Sequence, residues 1–248
     1  MRVAGYQALG IVMDEEGMLV AELQAALEQG VQAVILTPRA HNPTGYSLSA
    51  VRARALRNLF ARYPHVLVVV DDHFALLAES EYQNVLSPSL QRWALIRSVS
   101  KFLGSDLLLA LLASDHATSQ RLRLHLSPGS GWVSHLLQVV VRRCLQSEAM
   151  RQQVGLARES YIRRRKNLQR LLTENGIKIE HSGDGFSLWL PYGGDSRALA
   201  DRLARRGWLV RSGDSFSIGQ IVHGLRVTTA ALEEEQARRF AEDLSRLW

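Results

Sequence analysis

The sequence predicts an α/β fold: a mostly parallel, helix-covered sheet followed by a smaller C-terminal α+β domain. Three short apolar runs, at residues 34–36, 67–70 and 94–96, are each bounded by turn-forming residues. Runs of this kind are typical of strands that are buried in a sheet. Because helical or connecting segments separate them, the alternation favours parallel strands joined by crossovers.

A change in pattern divides the chain into two parts. From about residue 115 helical periodicity dominates, and short strands return only after Gly176. We expect a boundary inside the long charged helix that the pattern predicts over residues 148–172. The predicted domains are therefore a partial large domain at 1–155 and a small α+β domain at 156–248.

The first part begins with a helix at residues 18–29, where apolar side chains recur at helical spacing and Gly30 follows as a stop signal. A strand at 31–36 comes next. A second helix is predicted from Ser47 to about residue 63, where Pro64 ends it. The remaining predicted elements are a strand at 107–113, a helical break at 128–131, strands at 177–180, 186–190, 208–211 and 225–228, and helices at 196–206 and from 231 to the end.

Composition is ordinary for a globular protein: of 248 residues, 46% are hydrophobic and 22% charged. The single cysteine, Cys144, excludes an intrachain disulfide framework and favours a reducing compartment. The apolar run at 107–113 is far shorter than the roughly 20 residues of a membrane span. The first residues show no signal-peptide pattern. A cytoplasmic location is therefore expected.

The formal net charge is +6. A basic balance can indicate nucleic-acid binding. Here much of it lies on the predicted helices, at Arg52, Arg54, Arg57 and Arg62 and at residues 163–166. No recognition-helix or zinc-finger pattern accompanies these residues, so we interpret them as solvated helix faces.

Three polar motifs follow the apolar runs directly or closely. They are the Asn-Pro-Thr-Gly sequence that begins at Asn42, the Asp-Asp-His sequence that begins at Asp71, and the Ser-Val-Ser-Lys sequence that ends at Lys101. In a helix-covered sheet, ligands collect where such strands end. The side chains of Asn42, Asp71 and Lys101 would therefore lie close together at the ends of the strands. Pyridoxal phosphate requires a lysine for a Schiff base and an acid to keep its ring nitrogen protonated.

The order and spacing of these motifs resemble fold type I pyridoxal-phosphate proteins, the aspartate aminotransferase superfamily. The resemblance implies a pyridoxal-phosphate-binding large domain. It implies that Lys101 is the Schiff-base lysine, that Ser98 contacts the cofactor phosphate, with Ser100 offering a second hydroxyl, and that Asp71 pairs with the pyridine nitrogen.

The same resemblance gives roles to three further residues. Asn42 matches an asparagine that contacts the phenolic oxygen of the ring. His73 stands where the family has a tyrosine that donates a hydrogen bond to that oxygen, which histidine can also do. Arg226 matches the arginine that binds the α-carboxylate of the substrate, as suits its bidentate guanidinium.

Two family features do not match. The arginine that clamps the cofactor phosphate shortly after the lysine falls on Leu108 or Leu109. The glycine-rich phosphate loop and the ring-stacking aromatic, which lie well upstream of the asparagine motif, have no counterpart. We expect the sequence to be a C-terminal fragment or a degenerate relative.

Within the superfamily, residues 37–45, 71–74 and 98–101 are most similar to MocR-type regulators of the GntR group. In these a winged-helix DNA-binding domain precedes an aminotransferase-like effector domain. The resemblance implies a homodimer that reaches DNA only through a winged-helix domain that is not in this sequence. It also implies a ligand that is pyridoxal phosphate or a small amine or amino acid.

Taken singly, each motif has a plainer interpretation. Lys101 can be a surface lysine, Asp71 a turn cap, the segment at Asn42 a simple turn, and Arg226 a surface residue of an edge strand. Three functions therefore remain open: an effector-sensing module, a working class I/II aminotransferase, and a catalytically silent dimerisation domain. His73 and Leu108 favour the first or third, so active transamination is not expected.

Overall fold

The structure is a computed structural model that describes residues 5–126, 133–181, 183–218 and 221–248. The chain divides into two compact units, each described here by itself. The sheet unit comprises Glu16–Arg39 and Ser47–Arg158. The C-terminal unit comprises Met1–Glu15, Ala40–Tyr46 and Glu159–Trp248.

The elements follow one another in the predicted alternation of strands and helices. In chain order they are β1 (Met13–Asp14), β2 (Gly17–Met18), α1 (Val20–Glu28), β3 (Ala33–Leu36), α2 (Ala50–Arg62), β4 (Leu67–Asp71), β5 (Trp93–Ser98), β6 (Ala110–Ser114), α3 (His116–Leu126), α4 (His135–Gln146), α5 (Glu148–Glu174), β7 (Ser187–Pro191), α6 (Ser196–Ala204), β8 (Arg211–Ser212), β9 (Gly224–Thr228) and α7 (Glu234–Ser245), with short 3-10 helices at Ser105–Leu107 and Gly213–Phe216.

The sheet unit is built on a four-stranded sheet in the order β3-β4-β5-β6. The pairs β3–β4 and β4–β5 are parallel, and β6 runs antiparallel to β5. The predicted α/β class with a mostly parallel sheet is thus confirmed. Because parallel strands end at the same edge, the motifs that follow β4 and β5 lie at one edge of this sheet.

The two faces of this sheet differ in burial. Val68 and Val70 of β4 are fully buried, and the buried side chains of α1 and α2 supply the rest of the core. The alternate residues face the other way: Ile35 of β3 is 53% exposed. Asp71 belongs to this second face, because successive strand residues point to opposite sides.

The C-terminal unit contains the antiparallel sheet β7-β9-β8. One face of it, with Leu188 and Leu225, packs into a core that includes Leu168 of α5, Leu199 of α6 and Phe240 of α7. The predicted α+β character of this region is confirmed. Among the described residues, no helix combines the length and apolar content that crossing a bilayer requires.

Several predicted boundaries were wrong. Helix α2 is capped by Ser49, whose hydroxyl accepts from the Arg52 amide, and not by Ser47. The strand predicted at 107–113 starts only at Ala110, because a 3-10 helix and a left-handed Leu108 precede it. Residues 177–180 form no strand; Ile177 is buried in the core without a ladder partner. The predicted break at 128–131 lies outside the described residues.

Candidate functional site

Lys101 lies on a tight turn at the end of β5. The amides of Phe102 and Leu103 both donate to the carbonyl of Val99, at 3.2 and 2.9 Å. Val99 is fully buried in a cluster with Leu109, and its own amide donates to the Leu109 carbonyl at 3.0 Å. This anchor holds Lys101 on the exposed side of the turn, where its ammonium has no partner among the described residues.

Two serine hydroxyls flank this turn. The Oγ atoms of Ser98 and Ser100 are 2.7 Å apart, and the Ser100 amide donates to Ser98 Oγ at 3.3 Å. This is the local side-chain bond by which serine stabilises a turn. Both serines are partly buried, and Lys101, which follows Ser100 directly, is exposed.

Asp71 is the last residue of β4, and its side chain is 44% exposed. In the β4–β5 register Asp71 pairs with Ile96, two residues before Ser98, so Asp71 and Ser98 lie on the same face of adjacent strands. The structure thus brings Asp71 and Ser98 to one edge and one face of the sheet, and Lys101 lies on the turn that follows Ser98.

His73 lies close to Asp71 without a hydrogen bond to it. Its Nδ1 is 3.7 Å from Asp71 Oδ2, which is too long for a hydrogen bond. That nitrogen is buried and has no hydrogen-bond partner among the described residues. The ring meets the edge of Phe74, with centroids 5.0 Å apart. This nitrogen is therefore open to a hydrogen bond with a ligand or a water molecule.

The neighbouring acid, Asp72, is fully buried in a network that sequence reasoning missed. Arg39 binds it with two hydrogen bonds, Nε to Oδ1 at 2.7 Å and Nη2 to Oδ2 at 2.9 Å. Arg97 Nε donates to the same Oδ2 at 2.9 Å. Both guanidinium groups lie over the ring of Tyr82, at 5.6 and 5.1 Å from its centroid.

This network fixes the loop after β4. Burial, reinforced by the charge of Asp72, raises the pKa of the Tyr82 phenol. The carboxylate of Asp72 is hydrogen-bonded to Arg39 and Arg97. Of the two adjacent acids, Asp71 is therefore the one that remains available to a ligand. In the sequence, the different roles of Asp71 and Asp72 were signalled only by the position of the acidic pair directly after an all-apolar run.

The C-terminal unit holds the other two predicted site residues, and they touch. Arg226 Nη1 donates to Asn42 Oδ1 at 2.9 Å, across 184 positions of the sequence. The Asn42–Pro43 peptide is cis. The loop is held at Gly45, which adopts a left-handed φ of 74° and whose carbonyl accepts from the Asp184 amide at 2.7 Å. A Cβ at Gly45 would lie 2.9 Å from that amide nitrogen, so glycine is required.

The guanidinium of Arg226 is half-buried beneath Phe216, whose ring centroid is 5.1 Å from its Cζ. Burial lowers the pKa of Arg226, and the positive charge of Arg211 lowers it further. Its Nε is buried and has no hydrogen-bond partner among the described residues. Asn42 and Phe216 therefore position the guanidinium of Arg226, whose Nε still has a hydrogen to donate.

Leu108 stands where the resemblance places a phosphate-clamping arginine. Its backbone is left-handed, with φ 44° and ψ 37°, and the residue is 84% exposed. An apolar side chain in this position offers no hydrogen bond to an anion.

Comparison with known proteins identifies the family of the chain. Residues 9–244 match the family model of aminotransferases of class I and II. Over 244 residues, 98% of this chain, the sequence is 50% identical to the vitamin B6 salvage pathway transcriptional repressor PtsJ of Salmonella typhimurium, and it spans 56% of that protein's length.

Solved structures show the same fold at low sequence identity. The α-aminoadipate aminotransferase LysN of Thermus thermophilus, complexed with N-(5'-phosphopyridoxyl)-L-leucine, superposes with a TM-score of 0.88 at 21% identity, covering 99% of this chain and 66% of its own. The kynurenine aminotransferase of Pyrococcus horikoshii gives 0.85 at 22% identity, covering 97% and 63%. On the match over residues 9–244, the chain belongs to the class I and II aminotransferase family.

Proposed function

We propose that this chain is a pyridoxal-phosphate-binding, aminotransferase-like effector domain of a MocR-type transcriptional regulator. The 50% identity to a transcriptional repressor of vitamin B6 salvage supports the regulatory role. The chain spans little more than half of that repressor. The observation that carries the proposal is the shared face of Asp71 and Ser98, with the exposed Lys101 on the turn that follows Ser98.

The residues present suit pyridoxal phosphate. Lys101 supplies an unpartnered amine, Ser98 and Ser100 supply hydroxyls for a phosphate, and Asp71 supplies a half-exposed carboxylate. When bound, the cofactor supplies an aldehyde that an amine can capture and a pyridine ring that withdraws electrons. His73 Nδ1, buried and without a hydrogen bond, is a donor or acceptor for a ring substituent.

Each side chain has a separate task in this proposal. Lys101 Nζ attaches the ligand, and the buried anchor at Val99 fixes where that nitrogen lies. The carboxylate of Asp71 would accept a hydrogen bond from the protonated ring nitrogen, while Asp72 with Arg39 and Arg97 holds the segment that follows Asp71. Within the C-terminal unit, Asn42 orients Arg226, whose guanidinium suits the carboxylate of an amino acid.

The test exploits the lysine content of the chain. Only Lys101, Lys166 and Lys178 occur in the sequence. After incubation with pyridoxal phosphate and borohydride reduction, peptide mass mapping should find the label on Lys101. The variant Lys101→Ala should lose both the label and the associated visible absorbance. The control Lys178→Ala, which removes an exposed lysine of the C-terminal unit, should retain both.

Label confined to Lys166 or Lys178 would refute the assignment of Lys101. Label on Lys101 in the wild-type chain, and no label in Lys101→Ala, would support cofactor binding. This result is expected both for an effector domain and for a working aminotransferase.

A working class I/II aminotransferase is the second candidate, favoured by the Arg226–Asn42 contact at 2.9 Å, because an oriented arginine suits a substrate carboxylate. Turnover of an amino acid separates the two functions. The remaining expectations belong to the regulatory proposal: a homodimer, operator binding through a winged-helix domain, and a cytoplasmic location.

A further inference from the structure

Two arginines lie directly opposite each other on the C-terminal sheet. In the antiparallel pairing of β8 with β9, Arg211 is the partner of Arg226. Directly opposed strand residues share a face and have Cβ atoms roughly 4.5–5.5 Å apart. On the other side of Arg226, the register partner is Trp189 of β7. This row belongs to the face opposite the hydrophobic core, which Leu188 and Leu225 line.

The positive charges of this pair are not neutralised by the protein. No carboxylate of the described residues forms an ion pair with Arg211 or Arg226. Arg226 donates to a neutral amide oxygen, that of Asn42, and its buried Nε has no hydrogen-bond partner in the part of the chain that is described. Like charges directly opposite in a sheet destabilise it. An anion bound between them would remove this repulsion and use the vacant donors.

The two arginines differ in burial and in side-chain contacts. Arg226 is half-buried, is covered by Phe216 and is oriented by Asn42. Arg211 is exposed, and its side chain has no hydrogen-bond or ion-pair partner among the described residues. Arg226 is therefore a preorganised contact, whereas Arg211 is free to adjust to a second group on the same ligand.

We propose that Arg211 and Arg226 form a paired-arginine site that selects ligands with two carboxylates, with Arg226 holding one and Arg211 the other. The inference rests on the proposed function in so far as Arg226 is taken to bind a ligand carboxylate. It adds a substrate class and a specificity-determining residue, Arg211. A guanidinium binds one carboxylate with two parallel hydrogen bonds, so the two forks match a short dicarboxylate.

The experiment compares two probes of similar size, glutarate and butyrate, by titration calorimetry on the whole 248-residue chain at constant ionic strength. Wild-type protein should bind glutarate at least about tenfold more tightly, since a second charge-assisted contact is added. Arg211→Gln should lower glutarate affinity about tenfold and leave butyrate affinity within about twofold. Arg226→Gln should weaken both probes.

Arg205→Gln is the matched control, because Arg205 is an exposed residue at the end of α6 and its replacement changes the net charge equally. It should leave both affinities unchanged. Equal affinities in the wild type, no binding of either probe, or a preference that survives Arg211→Gln would each overturn the proposal.

The labelling of Lys101 provides an independent readout. If Lys101 is labelled but glutarate and butyrate bind alike, the paired site is refuted and the proposed function stands. If glutarate is preferred through Arg211 but no lysine is labelled, the paired site stands and the cofactor-binding proposal fails.

Discussion

Asp71 and Asp72 are adjacent in the sequence but have opposite environments. Asp72 is fully buried between Arg39 and Arg97, whereas Asp71 is 44% exposed and has no hydrogen bond from His73. Removing a buried carboxylate that arginines share leaves buried positive charge uncompensated and destabilises the fold, whereas a carboxylate open to solvent is available to a ligand. Asp72 is therefore a structural acid, and Asp71 is a candidate for ligand binding.

Replacing each acid by its amide tests this division. Asp72→Asn leaves the buried guanidinium of Arg39 without a countercharge, so we expect the free energy of unfolding to fall by about 3–5 kcal/mol. Asp71→Asn should change it by less than about 1 kcal/mol but weaken binding of pyridoxal phosphate. Urea denaturation of both variants measures the first effect and a spectroscopic titration the second. Equal destabilisation by the two substitutions would contradict the assignment.

Leu108 is a second residue whose replacement is informative. It is 84% exposed, so Leu108→Arg removes no core contact and adds a guanidinium where the family resemblance places one. A charge-assisted hydrogen bond contributes about 1.5–3 kcal/mol. We therefore expect affinity for pyridoxal phosphate to rise about tenfold or more, measured by absorbance titration.

Leu108→Gln is the control, because it places a polar but uncharged side chain on the same left-handed backbone as Leu108→Arg does. If Leu108→Arg and Leu108→Gln bind the cofactor equally, the phosphate does not lie near this position.

At the scale of elements, single hydrogen-bonded carboxylates tie helices to neighbouring segments. Asp243 of α7 accepts from Trp208 Nε1 at 2.9 Å and from Arg206 Nη1 at 2.6 Å, both just beyond α6. The hydrogen bonds from Trp208 and Arg206 lower the pKa of Asp243. The folded state thus favours its charged form more than the unfolded state does.

The sign of the pH dependence follows from that direction. A lowered pKa in the folded state adds stability above the unfolded pKa of about 3.9, and that stability is lost as the pH falls through the folded value. Between about pH 5 and pH 3 the melting temperature of Asp243→Asn should therefore fall less than that of the wild type. Glu242→Gln, an exposed neighbour on α7, should follow the wild type. Parallel curves for all three proteins would show that this tie adds no acid-sensitive stability.

Element boundaries show where periodicity stops being informative. The apolar runs at 67–70 and 94–96 lie within strands that pair in register. Residues 177–180 have a similar apolar pattern but no ladder partner, although Ile177 is buried in the core and Ile179 packs against it. A strand depends on a neighbour that local sequence does not contain. The left-handed conformation of Leu108 was equally invisible, since the sequence shows no glycine or asparagine there.

At the scale of the whole molecule, the prediction concerns turnover. We expect no appreciable transamination, because this chain has no arginine at Leu108 to clamp the phosphate. Misplacement of reacting groups by about 1 Å can cost roughly a hundredfold in rate. Half-transamination followed spectroscopically over a panel of amino acids measures this. Steady turnover of any one of them would favour the aminotransferase over the effector domain.

The sequence by itself determined the α/β class, the strands that precede the motifs, and the identity of the motif residues. These features depend on local order: apolar runs, turn formers and the spacing between polar groups. The tertiary structure decided which groups meet. It joined Arg226 to Asn42, paired Arg226 with Arg211 across β8 and β9, and buried Asp72 rather than Asp71. Such contacts depend on strand register and on which face a residue takes, and a shift of one residue reverses both.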